Sequence, residues 1–370
     1  MRVIDRRDQG GFNISRPRLL LVVLYFIAAS AALMYLHVGL VPDVLIPVLV
    51  GAAVVVGRPW LFLRDWGVFL LVLVLWQQTG PVAQWAGFPA HMTDLIDADR
   101  WLTWPLLHGQ LPQEWLQQRL FHPAALHRTA YHPAGVWHGQ MINRPWFSYA
   151  RSAPQWQWYD ILSAVIYGLH FPEPLLVGFV IWVRDRALFR RFAAAFLALA
   201  ALAFVIYIVY PAVPPWMASY RTFQGHRFAA ISPPLHKIFN DFNDYVQQKA
   251  FGHRYFSLFN LKYNLTAAMP SLHAAFPVLS ALYLYKMFGR WGLLMLVYAA
   301  AMWFAVVYMG EHWIIDVVVG LVCAVISFVA VEGAARWWGA RAEARSGVPA
   351  LVAPPVMPVE QRRVSDQGAR

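Results

Sequence analysis

Met269-Pro270-Ser271-Leu272-His273 and Glu311-His312-Trp313-Ile314-Ile315-Asp316 are two polar clusters that bracket a pair of apolar runs, Ala274 to Tyr285 and Leu293 to Val307. Lys286 and Gly289-Arg290 separate the runs. The chain therefore crosses a bilayer and returns, and both clusters lie on the same side of it.

The residue types suggest a chemistry. Pro270 suits the first position of a helix, where its missing N–H costs nothing, so the N–H groups of Ser271, Leu272 and His273 point beyond the helix end, an arrangement that binds phosphate. His312 and Asp316 are four apart and share one helix face. The carboxylate then holds one ring nitrogen of His312 and leaves the other as a nucleophile, while His273 stands across the hairpin as a candidate acid for the leaving oxygen. Interfacial histidines satisfied by their neighbours would account for either cluster alone. Three ionisable groups converging on an anion site at membrane depth, where such groups are costly, favour function.

Pro270-Ser271-Leu272-His273 followed by His312-x-x-x-Asp316 resembles the second and third signature motifs of the type-2 phosphatidic acid phosphatase superfamily. Leu272, where glycine is usual, and the context Ala-Met-Pro-Ser-Leu-His-Ala-Ala are more similar to its inositol phosphorylceramide synthase branch. The resemblance implies that His312 attacks phosphorus to give a phosphohistidine, that Asp316 orients it and that His273 handles the leaving-group proton. Phosphatase members carry Ser-Arg seven and six residues before the third-motif histidine. This chain has Ala305-Val306 there, and the lysine and Arg-Pro of the first motif are not found before Pro270. The phosphate clamp is expected to be built differently.

Of 370 residues, 59% are hydrophobic and 13% charged, with a mean hydropathy of +0.45. That excludes an ordinary soluble domain and gives an all-α polytopic membrane helical bundle. The single cysteine, Cys323, excludes an intrachain disulfide. Eight spans are expected, both ends cytoplasmic. The first is Leu19 to Leu40, read as a membrane span rather than a cleavable signal; Val44 to Gly57, Trp66 to Gln77, Asp160 to Val183 and Phe192 to Pro211 follow, then the hairpin and a last span ending near Glu332. Nineteen of the 30 lysines and arginines fall on the cytoplasmic side in this arrangement, which places the site on the extracytoplasmic or lumenal face. Three regions follow: accessory spans and an external amphipathic segment over 1–157, a phosphatase-like catalytic core over 158–338 and a disordered cytoplasmic tail over 339–370.

The external segments carry further candidates. Asp94 to Leu107 and Pro112 to Phe121 have helical spacing, the second with Trp115, Leu116 and Leu120 on one face, and read as surface helices roofing the site. Pro233 to Ala250 reads as an amphipathic helix with Ser232 as cap, whose Lys237, Asp241, Asp244 and Lys249 form a solvated face. Histidines at 108, 122, 127, 132 and 138 match no standard ligand spacing, so neither metal nor cofactor is expected. By resemblance to the synthase branch, Asp160 and His170 are headgroup contacts and Tyr210-Pro-Ala-Val-Pro-Pro-Trp216 lines the site. Arg254 and Lys262 are candidates to replace the missing phosphate-binding arginine. With Ser271, Leu272 and Trp216 they complete the expected substrate-binding set.

The function expected is transfer of a phospho-headgroup, phosphoinositol in that branch, from a membrane phospholipid donor to a lipid-alcohol acceptor, with no nucleic-acid partner. Two rivals stay open: a lipid phosphate or polyprenyl diphosphate phosphatase, with water as acceptor, and a non-enzymatic transporter or scaffold.

Overall fold

A computed structural model describes residues 12, 14–36, 42–76, 82, 86–122, 126–137, 140–149, 156–220, 222–223, 226–227, 231, 235–246 and 265–346. Helices α1 (Arg16–Tyr35), α2 (Pro42–Val56) and α3 (Pro59–Trp76) are followed by two external helices, α4 (Thr93–Leu107) and α5 (Pro112–Leu120). After them come α6 (Trp158–Gly168), α7 (Pro172–Arg184), α8 (Arg186–Val209), the short α9 (Pro215–Tyr220) and α10 (Ile238–Val246). The chain then forms α11 (Leu272–Phe288), a 3-10 turn (Gly289–Leu294), α12 (Met295–Tyr308) and α13 (Ile314–Ser346).

Five stretches are long and apolar enough to cross a membrane, or six when α6 and α7, bent by 54° at their junction, count as one. The expected count was eight. The difference has two sources: α2 is short, and Leu272–Tyr308 is one continuous apolar stretch although it folds back on itself, with the Trp303 indole donating to the Ala274 carbonyl at 3.3 Å. Gly292 makes this turn possible, since a Cβ there would stand 2.2 Å from the backbone of Leu284 and Tyr285. Leu19, Leu20, Val205, Val209, Val322 and Val329 are exposed. They form the apolar surface expected of an integral membrane protein, which this chain is.

The inner packing is aromatic. Trp66 stacks on Phe62 and Phe189, with ring centroids 5.0 and 4.5 Å apart, so α3 locks onto α8. Among apolar helices in lipid such van der Waals fit, rather than water exclusion, holds elements together. One end of the bundle is knit by charge. Asp65 accepts from both sides of the Arg186 guanidinium at 2.7 and 3.0 Å and from Trp182 Nε1 at 3.0 Å, and Glu332 accepts from Arg191 at 3.1 Å and from Lys286. The histidine clusters lie at the other ends of α11 and α13.

One element has no counterpart in the sequence reading. The external segment contains an antiparallel hairpin, β1 (Leu126–Trp137) with β2 (Gln140–Tyr149), extended by the two-residue strands β3 (Thr222–Phe223) and β4 (His226–Arg227). The membrane body remains all-α. The helix expected over Pro233–Ala250 is described only as Ile238–Val246.

Candidate active site

The loop carrying His312 is shaped by Gly310. Its φ of +73° is open to glycine, and it ends α12 in a Schellman turn: Glu311 N–H bonds the Val306 carbonyl at 3.0 Å and Gly310 N–H bonds Val307 at 3.1 Å. His312 N–H also reaches the Val306 carbonyl, at 3.1 Å. The polar cluster is thus tucked under the last turn of α12.

The start of α11 differs from the expectation. Ser271 is the N-cap and its Oγ accepts from Ala274 N–H at 3.3 Å, so the helix begins at Leu272 and Pro270 stands outside it. A serine able to satisfy an orphan N–H is the better cap. Nor is Ser271 N–H free: it donates to the Asp316 carbonyl at 3.0 Å. Ser271 is therefore a cap and a tie to α13, and the N–H groups of Leu272 and His273 are the ones without a partner among the described residues.

His273 Nδ1 and His312 Nε2 are 3.2 Å apart. His312 Nδ1 lies 2.9 Å from the Ala268 carbonyl and 3.4 Å from Asp316 Oδ2. A carbonyl only accepts, so Nδ1 carries the hydrogen and Nε2 presents its lone pair to His273. The carboxylate was expected to orient this ring; the nearer acceptor is the backbone, and Asp316 Oδ2 also accepts from Trp313 N–H at 2.8 Å. Ala268 is fixed in turn by its N–H bond to Ala212, 3.2 Å. That makes the Tyr210–Trp216 element a support of the site, with the Val213 carbonyl accepting from Trp313 Nε1 at 2.7 Å.

His273 is sandwiched. Tyr167 stacks on it at 4.5 Å between centroids and His170 at 3.9 Å, because the break between α6 and α7 delivers His170 to the pair. Asp160 is not brought there. Its carboxylate closes a capping box with Gln157 and accepts from the Tyr308 hydroxyl. Trp216 is buried, with Lys237 Nζ 4.3 Å from its ring centre and 3.7 Å from Glu311 Oε2. Lys237 was assigned to a solvated face; the structure puts it beside the loop that carries His312. Arg254 and Lys262 lie outside the described residues.

The roof helices hold groups that the sequence did not reveal. Alongside Leu116 and Leu120, which pack against the core, α5 turns Gln113 and Gln117 inward. Gln117 Nε2 donates to the Tyr308 carbonyl at 3.0 Å and Gln113 Nε2 to the His312 carbonyl at 3.1 Å, because carbonyls at a buried helix end must find donors. From α4, Asp99 is fully buried, and it accepts from Gln113 Nε2 at 3.0 Å and from the N–H groups of Ile314 and Ile315, both at 2.9 Å. The sequence did carry a signal: Asp99 falls on the same face as Leu95, Ile96 and Thr103. Beneath α5, a cavity of about 370 Å³ between α12 and α13 is lined by Leu116, Trp303, Phe304, Val307 and Val317 among others.

Burial pushes the Asp99 carboxyl up from 3.8 to about 6; bonds from Gln113, Ile315 and Ile314 oppose the rise and the Asp316 charge adds to it. The folded value is above the unfolded one, so this group's contribution to stability is complete below about pH 4 and is lost as the pH rises through about 6. The apparent unfolding temperature of Asp99→Asn should accordingly vary less with pH across that window than that of the parent. Equal slopes in the two proteins would contradict this.

The sequence profile described as the PAP2 superfamily matches residues 145–330. The chain is 31% identical over 181 residues to the phosphoinositol dihydroceramide synthase of Bacteroides thetaiotaomicron, a stretch covering 48% of this chain and 57% of that protein. It is 25% identical over 174 residues to the inositol phosphorylceramide synthase of Candida albicans, covering 46% of this chain and 35% of the relative. The same identity and length hold for the inositol phosphorylceramide synthase catalytic subunit of Schizosaccharomyces pombe, at 46% and 39%. The chain thus spans between about a third and somewhat over half of these relatives' lengths. No solved structure matches it significantly.

Proposed function

The chain belongs to the PAP2 superfamily, and we propose that within it the protein transfers a phospho-headgroup, phosphoinositol, from a membrane phospholipid to a lipid hydroxyl through a phosphohistidine. The observation that carries this reading is the His312 Nε2 lone pair, held by Ala268 and facing His273 Nδ1 at 3.2 Å. The identity with inositol phosphorylceramide and phosphoinositol dihydroceramide synthases supports the headgroup and the lipid acceptor.

In the first half-reaction the donor phosphoryl parts the two rings, its anionic oxygens taken by the N–H groups of Leu272 and His273 and by the charge of Lys237. His312 Nε2 forms the bond to phosphorus as the bond to the lipid oxygen breaks, and His273 gives that oxygen a proton. In the second, His273 takes the proton of the acceptor hydroxyl, whose oxygen attacks phosphorus and releases His312. His170 and Tyr167 hold the His273 ring for both tasks. The apolar cavity beneath α5 suits an acyl chain, so a lipid reaches the site without leaving the bilayer. The test is lipid mass spectrometry of membranes with and without the gene: an inositol-phosphate-bearing lipid should disappear from the latter. Accumulation of a lipid phosphate instead would replace transfer by hydrolysis.

On this proposal the reaction takes place on the side away from the cytoplasm. The histidine pair sits at the start of α13, whose 33 residues extend roughly 50 Å to the basic end at Arg345. Cysteines replacing Gln118 and Arg345, one at a time in a Cys323→Ala background, should differ in labelling by an impermeant reagent on intact cells, with only position 118 modified. Labelling at 345 alone, or equally at both, would invert or abolish this topology.

A further inference from the structure

Helix α13 starts without a cap of its own. The residue before its first turn is Trp313, whose side chain offers no acceptor, and the chain there runs His312-Trp313-Ile314-Ile315. A serine, threonine, asparagine or aspartate would ordinarily fill this place. The missing oxygens come instead from an external helix 215 residues earlier, with Asp99 Oδ2 on Ile314 N–H and Oδ1 on Ile315 N–H. Gln113 then links this cap to the nucleophile's own main chain, since one Nε2 group serves both the Asp99 carboxylate and the His312 carbonyl.

We propose that Asp99 and Gln113 are positioning residues of the reaction centre, a clamp lent by the external helices that fixes the main chain around His312. The inference rests on the phosphohistidine reading above and deepens it. Two arguments separate the clamp from a merely stabilising cap. First, its hydrogen bonds end on residues 312, 314 and 315, on both sides of the peptide that follows the nucleophile, so losing them loosens the group that must meet phosphorus. A displacement of about 1 Å there can slow a reaction about a hundredfold. Second, it decides which helix end takes the phosphate. Both α11 and α13 point their N-termini toward the histidine pair, and both would attract an anion. At α13 two N–H groups already carry a carboxylate and the Trp313 N–H carries Asp316, whereas Leu272 and His273 on α11 are open. The phosphoryl group is thereby directed to one side of His312.

The experiment uses the full-length protein in detergent with a nitrophenyl phosphodiester lipid, whose acidic leaving group makes nucleophilic attack by His312 the step observed. Asp99→Asn, which keeps shape but loses one acceptor, and Gln113→Ala should each lower kcat about tenfold or more while KM stays within about threefold. Asp97→Asn, on the exposed face of the same helix, should leave both constants unchanged. A fall in unfolding temperature with kcat of the folded protein unaltered would reduce the clamp to a structural cap and overturn the inference, as would a change confined to KM. If Asp99→Asn does not fold, Gln113→Ala decides alone. Activity surviving in His312→Ala would instead remove the reading on which the clamp rests, whatever the Asp99 and Gln113 variants do.

Discussion

His312→Ala should lose activity on every substrate and form no covalent phospho-enzyme, a loss on the order of 10⁴-fold or more, as deletion of a covalent nucleophile produces elsewhere. Among the described residues His273 is the ring that meets His312, through Nδ1 at 3.2 Å, and on the proposed mechanism that nitrogen serves the leaving oxygen. His273→Ala should behave differently. It should be slow by about 10²–10⁴-fold on a lipid with a poor alkoxide leaving group, yet recover much of its rate on a nitrophenyl phosphodiester. Asp316→Asn belongs at the lower end of that range, because the Ala268 carbonyl holds the His312 tautomer independently. Rescue of His312→Ala rather than His273→Ala by the activated leaving group would reverse the two roles.

The second large effect is expected at a glycine. At Gly320 a Cβ would stand 2.4 Å from the Ser271 carbonyl oxygen, so α11 and α13 touch backbone to backbone beside the N-terminus of α11. Gly320→Ala must push the helices apart, since no flexible side chain stands between them to give way. Overpacking of this kind costs about 1–3 kcal/mol, and the widened gap between His273 and His312 should lower kcat about a hundredfold. Gly333→Ala on the same helix meets nothing within 4 Å and should be neutral or slightly stabilising, given the better helix propensity of alanine. Equal behaviour of the two variants would mean that the close contact at 320 does not set the spacing of the site.

What the sequence could reveal was whatever depended on local spacing. His273, His312 and Asp316 lie on a hairpin whose two apolar runs put them on one side of the membrane; the shared helix face expected for His312 and Asp316 is not formed, because the Gly310 turn leaves His312 in the loop before α13 while Asp316 lies in its first turn. The structure brings all three together. Trp216 and His170 also come to the site's surroundings, through the proline-rich element and the bend between α6 and α7. Groups whose partners are distant main-chain atoms were not legible. A carboxylate that caps a helix 215 residues away leaves no periodic trace, and Asp99 betrayed itself only by standing on an apolar face. The same cause hid Gln113 and Gln117: glutamines read as the wet side of α5 until the carbonyls they serve are in place. Lys237 was misassigned because amphipathic spacing separates apolar from polar faces but does not tell solvent from a polar site. Asp160 was over-read for the converse reason, a carboxylate in a span that turns out to cap its own helix.

The separation of Asp99 from its partners also orders events during synthesis. At about 5–20 residues per second, the carboxylate leaves the ribosome roughly 10–40 s before Ile314 and Ile315 exist to receive it. During that interval α4 has no helix end to engage, and His312 has not been made. The cap closes only when the final crossing inserts, so a chain translated through α11 carries His273 but not His312, and on the proposed mechanism it cannot act on the membrane into which it is being threaded.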